Sequence, residues 1–292
     1  MVNWKINLMK RKILLPTDFS KNAWHAINYA LELYKKAPCT FYILNVFSAT
    51  SNIIESLINM EPGSELYETA KSDSESGLAK VLDMVAFKDY KNPKHHFETI
   101  STFNNVVEAI KNIVEEKDIE MIVMGTKGKT ASRTKIFGGV AIDVMEKARN
   151  CPVIVVPELA KHHLPKEIVF PTGFKTHLKR RELNYLIELA KRCEAAIRVL
   201  HVSIEDKLSD EQLGNKKLLE EYFESVPHTF HSLERIDIPT AINCFVESRN
   251  SDMVAFINKK HAFFGSMLTK PLVKEIGYDS KVPLLVMHDL RN

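Results

Sequence analysis

Short apolar runs alternate along this chain with longer stretches in which apolar residues recur every three or four positions. In the first half the runs are Lys12–Pro16, Thr40–Val46, His95–Ser101, Ile119–Gly125 and Pro152–Val156, which read as strands. The stretches between them predict helices over Ser20–Lys36, within Glu65–Phe87, over Asn104–Glu116 and over Ile136–Arg149. Asp18 and Ser20 sit just after a strand, where helix N-caps belong. The polar stretch Ser72–Ser76 reads as a loop or a frayed helix start, with a phosphosite as the less favoured alternative. Ile122, Val123 and Met124 follow one another without polar alternation, the mark of a strand buried on both faces of a parallel sheet. Strand–helix alternation with crossovers of this length predicts a doubly wound α/β sandwich with a mostly parallel five-stranded sheet.

The second half repeats the first. Ile13-Leu14-Leu15-Pro16-Thr17-Asp18-Phe19 is matched by Ile168-Val169-Phe170-Pro171-Thr172-Gly173-Phe174, and each is followed by a helical stretch, the second over Leu178–Arg192. The halves close alike, with Pro152-Val153-Ile154-Val155-Val156 against Pro283-Leu284-Leu285-Val286-Met287. Strands in the second half are expected near Ile168–Phe170, Ile197–Val202, Thr229–Leu233, Met253–Ile257 and Val282–Met287. An internal repeat of this kind implies two homologous domains, here 10–157 and 165–290, joined near Pro157 to Pro165. Each half ends in an apolar strand with an edge to cover.

Composition narrows the function classes. Forty Lys and Arg against 37 Asp and Glu leave +3, spread along 292 residues, without the basic clustering that nucleic-acid binding requires. No apolar run approaches the ~18–20 residues of a transmembrane helix, and the first residues lack signal-peptide character, so a cytoplasmic protein is expected. Met9 competes with Met1 as the start. Cys39, Cys151, Cys193 and Cys244 contain no CxxC pair and read as reduced thiols, not disulfides, zinc ligands or nucleophiles. His95-His96, His162-His163 and His228-x-x-His231 lack the flanking ligands of a metal site, and no metal or catalytic residues are assigned.

The candidate chemistry lies in glycine. Four of the ten glycines fall in Gly125-Thr126-Lys127-Gly128-Lys129-Thr130-Ala131-Ser132-Arg133-Thr134-Lys135-Ile136-Phe137-Gly138-Gly139, between a buried strand and a helix. Open α/β sheets bind ligands at that end. Glycines there let backbone N–H groups approach phosphate, and a helix N-terminus adds positive dipole. The plainer reading, a strand end and a helix cap, suits one isolated glycine better than this grouping. Gly128-Lys129-Thr130 is not a P-loop end, because Val123 occupies the required first glycine position. No G-x-G-x-x-G follows a strand either.

Gly125-x2-Gly128-x9-Gly138 resembles the nucleotide loop of the universal stress protein family. Pro16-Thr17-Asp18-Phe19-Ser20 and Ala148-Arg149-Asn150-Cys151-Pro152-Val153-Ile154-Val155-Val156 resemble that family's first and last strands. The resemblance spans the chain as a tandem pair. It implies ATP or AMP, with Mg, bound in some members and nothing known in others, and pairing through the last strand. By position, Asp18 and the Val46 backbone would hold the adenosine, with Pro16 and Thr17 lining it. Met124 and Gly125 would flank the ribose, Lys127 and Gly128 would lie near the phosphates, and Gly138, Gly139, Val140 and Ala141 would complete the cradle. Gly139 replaces the family's Ser or Thr, removing a hydroxyl donor.

The second half departs further. Gly173 stands where Asp18 does, and Asn258-Lys259-Lys260-His261-Ala262-Phe263-Phe264-Gly265-Ser266 lacks the early glycines, with Phe263 and Phe264 read as packing. One nucleotide per chain is therefore expected, in a regulatory protein with an unidentified protein partner, the halves forming an intramolecular pseudo-dimer; a homodimer is a further possibility. A nucleotide-free interaction protein and a slow ATPase are the competing readings.

Overall fold

The computed structural model describes residues 10–47, 61–88, 92–126, 138–148, 150–161, 163–203, 207–258 and 281–288. The first half runs β1 (Arg11–Pro16), α1 (Lys21–Tyr34), β2 (Cys39–Phe47), α2 (Glu65–Lys88), β3 (His95–Phe103), α3 (Val106–Lys117), β4 (Met121–Gly125), α4 (Gly139–Lys147) and β5 (Val153–Val156). The second runs β6 (Glu167–Thr172), α5 (Arg180–Cys193), β7 (Ala196–Ser203), α6 (Asp210–Phe223), β8 (His228–Glu234), α7 (Ile238–Arg249), β9 (Met253–Asn258) and β10 (Leu284–His288). The expected strands are all present. α6 and α7 add to the single helical stretch read from the second half.

All ten strands form one sheet in the order β3-β2-β1-β4-β5-β10-β9-β6-β7-β8. Every pairing is parallel except that of β5 with β10, which is antiparallel with Val155 opposite Leu284 and Val153 opposite Val286. The two closing strands therefore cover each other's edge, and all four of these residues are fully buried. Among the described residues β3 and β8 are the outer edges, and both carry half-buried and exposed residues with none fully buried.

Alternation along each central strand sends side chains to two helical layers. Ile13, Leu15, Phe41 and Val123 pack with residues of α1 and α2, in a cluster that continues into α5 and α6 of the second half. Leu14, Leu44, Ile122 and Met124 pack on the opposite face with α3, α4 and α7. Across the seam of that first layer, Arg11 pairs with Glu188 at 2.7 Å and the Arg192 guanidinium lies 4.7 Å over the Tyr34 ring.

Helix ends follow local chemistry. Asn105 caps α3, its side-chain oxygen accepting from Val107 N–H at 2.9 Å, and the helix stops at Asp118 in the left-handed region (φ 53°). Asp237 caps α7 immediately before Ile238-Pro239, a start signal readable in the sequence. The polar stretch Ser72–Ser76 is not a loop: it lies inside the 24-residue α2. Ser74 faces the sheet, 2% exposed, its hydroxyl 2.7 Å from that of Ser101 on β3. A satisfied buried hydroxyl explains how a serine-rich sequence turns one face inward.

Candidate functional site

The carboxyl ends of β1, β2 and β4 and the amino end of α4 converge at one rim of the first half. After Pro16 the chain turns sharply. Thr17 Oγ1 accepts from Phe19 N–H at 3.0 Å, Phe19 takes φ 63°, and Asp18 accepts from Ser20 N–H at 3.1 Å. Ser20 is the cap of α1, accepting from Ala23 N–H at 3.1 Å. Asp18, expected at a cap position, instead braces the turn one step earlier. The turn is tied to β2 twice: Thr17 N–H donates to the Leu44 carbonyl at 2.8 Å, and Asn45 Nδ2 donates to the Thr17 carbonyl at 2.7 Å. Val46, next along β2, is half-buried.

β4 brings Met124, buried, and Gly125 beside this turn. Two side chains not singled out from sequence then fix the rim. Thr126 is 2% and Asn22 5% exposed. Thr126 Oγ1 donates to Asn22 Oδ1 at 3.2 Å, and Asn22 Nδ2 donates to the Val156 carbonyl at 3.2 Å. These contacts link residues 104 and 134 positions apart. No local pattern announces them.

α4 opens at Gly139 with Gly138 as its N-cap and no side-chain cap. Among the described residues, the first-turn N–H groups of Gly139, Val140 and Ala141 meet no backbone acceptor. A Cβ at Gly139 would meet nothing within 4 Å among the described residues. This donor set fits a phosphate. Lys127 and Gly128 lie outside the described residues, as do the remaining positions to Phe137. The structure brings Pro16, Thr17, Asp18, Val46, Met124, Gly125 and Gly138 to Ala141 to the same rim.

Beside the turn, between α1 and α2, a cleft of about 820 Å³ is lined by Thr17, Phe19, Trp24, Asn45, Phe47 and Val81 among others. In the second half the corresponding turn is hydrogen-bonded to α6. There Gln212 Nε2 donates to the Gly173 carbonyl at 2.9 Å and Asn215 Nδ2 to the Phe174 carbonyl at 2.8 Å, so α6 sits directly on the turn where Gly173 replaces Asp18. Phe263 and Phe264 lie outside the described residues.

The remaining candidates have ordinary surroundings. Among the described residues no group of His, Cys, Asp and Glu is arranged to hold a metal. His95 packs edge-on to Phe41 at 5.0 Å and His96 lies 3.5 Å from Glu98; His162 is outside the described residues. All four cysteines are free, and only Cys244 is exposed. Burial pushes the Cys39 thiol up to about 12 and that of Cys193 up to about 11, far from thiolate reactivity.

The sequence model of the universal stress protein family matches residues 9–157, the whole of the half that carries this rim. The chain belongs to the universal stress protein family. A universal stress protein of Methanocaldococcus jannaschii is 31% identical over 156 residues, covering 53% of this chain and 86% of the relative. A second from the same organism is 29% identical over 169 residues, covering 52% and 97%. Over nearly the full chain, a universal stress protein from Archaeoglobus fulgidus superposes with a TM-score of 0.70 at 20% identity, covering 95% of this chain and 98% of that one. That likeness shows the fold: two universal-stress-protein halves in tandem. Among the described residues no helix is long and apolar enough to cross a membrane.

Proposed function

We propose that the first half, residues 10–157, binds one adenine nucleotide, ATP or AMP with Mg, and that this stress-response protein acts in the cytoplasm as a nucleotide-responsive module toward a protein partner. The observation that carries the reading is the N-terminus of α4, without a side-chain cap, on the same rim as the Thr17–Asp18 turn and the end of β4. Phosphate would take the N–H groups of Gly139, Val140 and Ala141, with Lys127 and Gly128 beside it. The adenosine would lie against Pro16, Thr17, Asp18 and the Val46 backbone, and the ribose against Met124 and Gly125.

The second half, residues 165–290, serves as a built-in partner whose own rim carries no nucleotide. Supporting this, its turn is occupied by Gln212 and Asn215, and it has Gly173 in place of Asp18.

Calorimetric titration of the full chain with Mg-ATP tests the proposal. A stoichiometry near one is expected, with weaker binding in Asp18→Ala, which loses a hydrogen-bonding group, and in Gly128→Val, which gains a side chain in the loop. A stoichiometry near two overturns the assignment of the second half. No binding, together with no nucleotide released on denaturation, overturns the nucleotide reading in favour of an interaction protein.

A further inference from the structure

Thr126 and Gly138, the described residues that flank positions 127–137, meet directly. The Gly138 N–H donates to the Thr126 carbonyl at 2.6 Å, so the two ends of the segment meet at one hydrogen bond. Thr126 is in turn held from below. Its N–H reaches the Val156 carbonyl at 3.3 Å, and its hydroxyl donates to Asn22 Oδ1 at 3.2 Å. Asn22 completes the ring by donating Nδ2 to the same Val156 carbonyl at 3.2 Å.

An amide is chemically suited to this place. It presents one acceptor and one donor from a single planar group, matching a hydroxyl on one side and a carbonyl on the other. A carboxylate would set an acceptor against the Val156 carbonyl, and an aliphatic side chain would leave the buried Thr126 hydroxyl without its acceptor and the Val156 carbonyl with the Thr126 N–H alone. The neighbouring glycine is shaped by the same amide. A Cβ on Gly125 would lie 2.7 Å from Asn22 Oδ1, 2.9 Å from its Cγ and 3.0 Å from its backbone oxygen, so Asn22 can seat only while position 125 has no side chain.

We propose that Asn22 is the positioning residue of the nucleotide site. It locks Thr126 and, through it, Gly138 against the end of β5, so that the α4 N-terminus already faces the phosphate before ligand arrives. This rests on the nucleotide reading above. Asn22 lies in the first turn of α1, two residues after Ser20, so it joins the adenosine side of the rim to the phosphate side. Holding both in one geometry removes an ordering cost from binding.

Two measurements on the full chain test the inference. In the first, Mg-ATP is titrated into wild type, Asn22→Asp, Gly125→Ala and the Asn22→Ala/Gly125→Ala double variant. Asn22→Asp is expected to weaken binding at least tenfold, and Gly125→Ala to weaken it as well. The double variant should bind more tightly than Gly125→Ala alone, because removing the amide relieves the collision. A residue that served only the stability of α1 would lower the melting temperature in Asn22→Asp without weakening Mg-ATP binding. The second measurement is amide exchange without nucleotide: the Gly138 N–H should exchange at least tenfold faster in Asn22→Asp, while those of Ile13 and Leu15 in β1 stay protected. If wild type binds ATP and the variants bind equally well, or if Gly138 exchange is unchanged, the inference falls. If wild type binds no nucleotide, the functional reading falls and Gly138 exchange alone decides whether Asn22 anchors the segment.

Discussion

Asn45 and His201 perform the same task in the two halves. Each stands on the second strand of its half and donates to a threonine carbonyl at the end of the first: Asn45 Nδ2 to Thr17, just past β1, at 2.7 Å, and His201 Nδ1 to Thr172, the last residue of β6, at 2.9 Å. A carbonyl only accepts, so Nδ1 carries the proton and neutral His201 has its lone pair on Nε2. That atom has no hydrogen-bond partner among the described residues, and the ring is stacked on Phe174 at 4.9 Å.

Burial, outweighing the Thr172 hydrogen bond and assisted by Lys175 and Lys216, holds the His201 pKa below its ordinary 6.5. A histidine whose folded pKa is depressed stabilises the fold above the unfolded value, and that contribution is lost as pH falls. The melting temperature should therefore drop between pH 7.5 and 5.5. His201→Asn, which copies Asn45 and keeps a donor, should flatten that part of the profile by thermal denaturation. An unchanged slope would assign the pH dependence elsewhere.

Gly139→Ser should tighten Mg-ATP binding. The substitution restores the hydroxyl of the family pattern, and its Cβ meets nothing within 4 Å. One added hydrogen bond contributes about 1 kcal/mol, or about fivefold in Kd, readable by calorimetry. Unchanged or weaker binding would place the phosphates away from the α4 N-terminus.

Glu167 anchors the opposite rim of the second half. Although burial opposes ionisation, hydrogen bonds from Arg249, Arg198 and Ser251 hold its carboxyl down from 4.5 to about 2. Arg249 grips both oxygens, at 2.7 and 2.9 Å, while Arg198 and Ser251 add contacts of 2.7 and 2.8 Å. A depressed carboxylate stabilises the fold above its unfolded pKa, and that stability disappears as pH falls from about 4.5 toward about 2. Glu167→Gln should be less stable at pH 7 by on the order of 2 kcal/mol and lose stability less steeply across that acid window. Denaturant titrations at stepped pH check both.

ATP hydrolysis should be too slow to be the function. On the proposed nucleotide reading, backbone donors and lysines would hold phosphate in the ground state about as well as in the transition state, which tightens binding without accelerating reaction. Asp18, the acidic group on the rim, is engaged with Ser20 N–H at the adenosine end. Turnover at ~1 s⁻¹ or faster, lost in Gly128→Val, would overturn this.

Periodicity located the strands well. Thr40–Val46 is observed as Cys39–Phe47 and Met253–Ile257 as Met253–Asn258, because runs buried on both faces leave little ambiguity about which residues pair. Ser72–Ser76 misled because serine has middling helix propensity and signals loops by composition; the packing of Ser74 on Ser101 decided the matter. At the rim, the positions of Thr17, Asp18, Met124, Gly125, Gly138 and Gly139 follow from local motif and strand ends. Asn22, Asn45 and Thr126 were not legible in this way. Their roles consist of contacts between residues distant in sequence, and an asparagine on a helix has no local signature that separates an anchor from a surface residue.

The β5–β10 junction also decides how the molecule responds to dilution. Strands contributed by separate chains part as concentration falls, whereas here Val156 and Glu167 bound a short connection between the halves. Their pairing partners are held at an effective concentration on the order of millimolar, whatever the amount of protein present. Formation of the β5–β10 junction is therefore a first-order event.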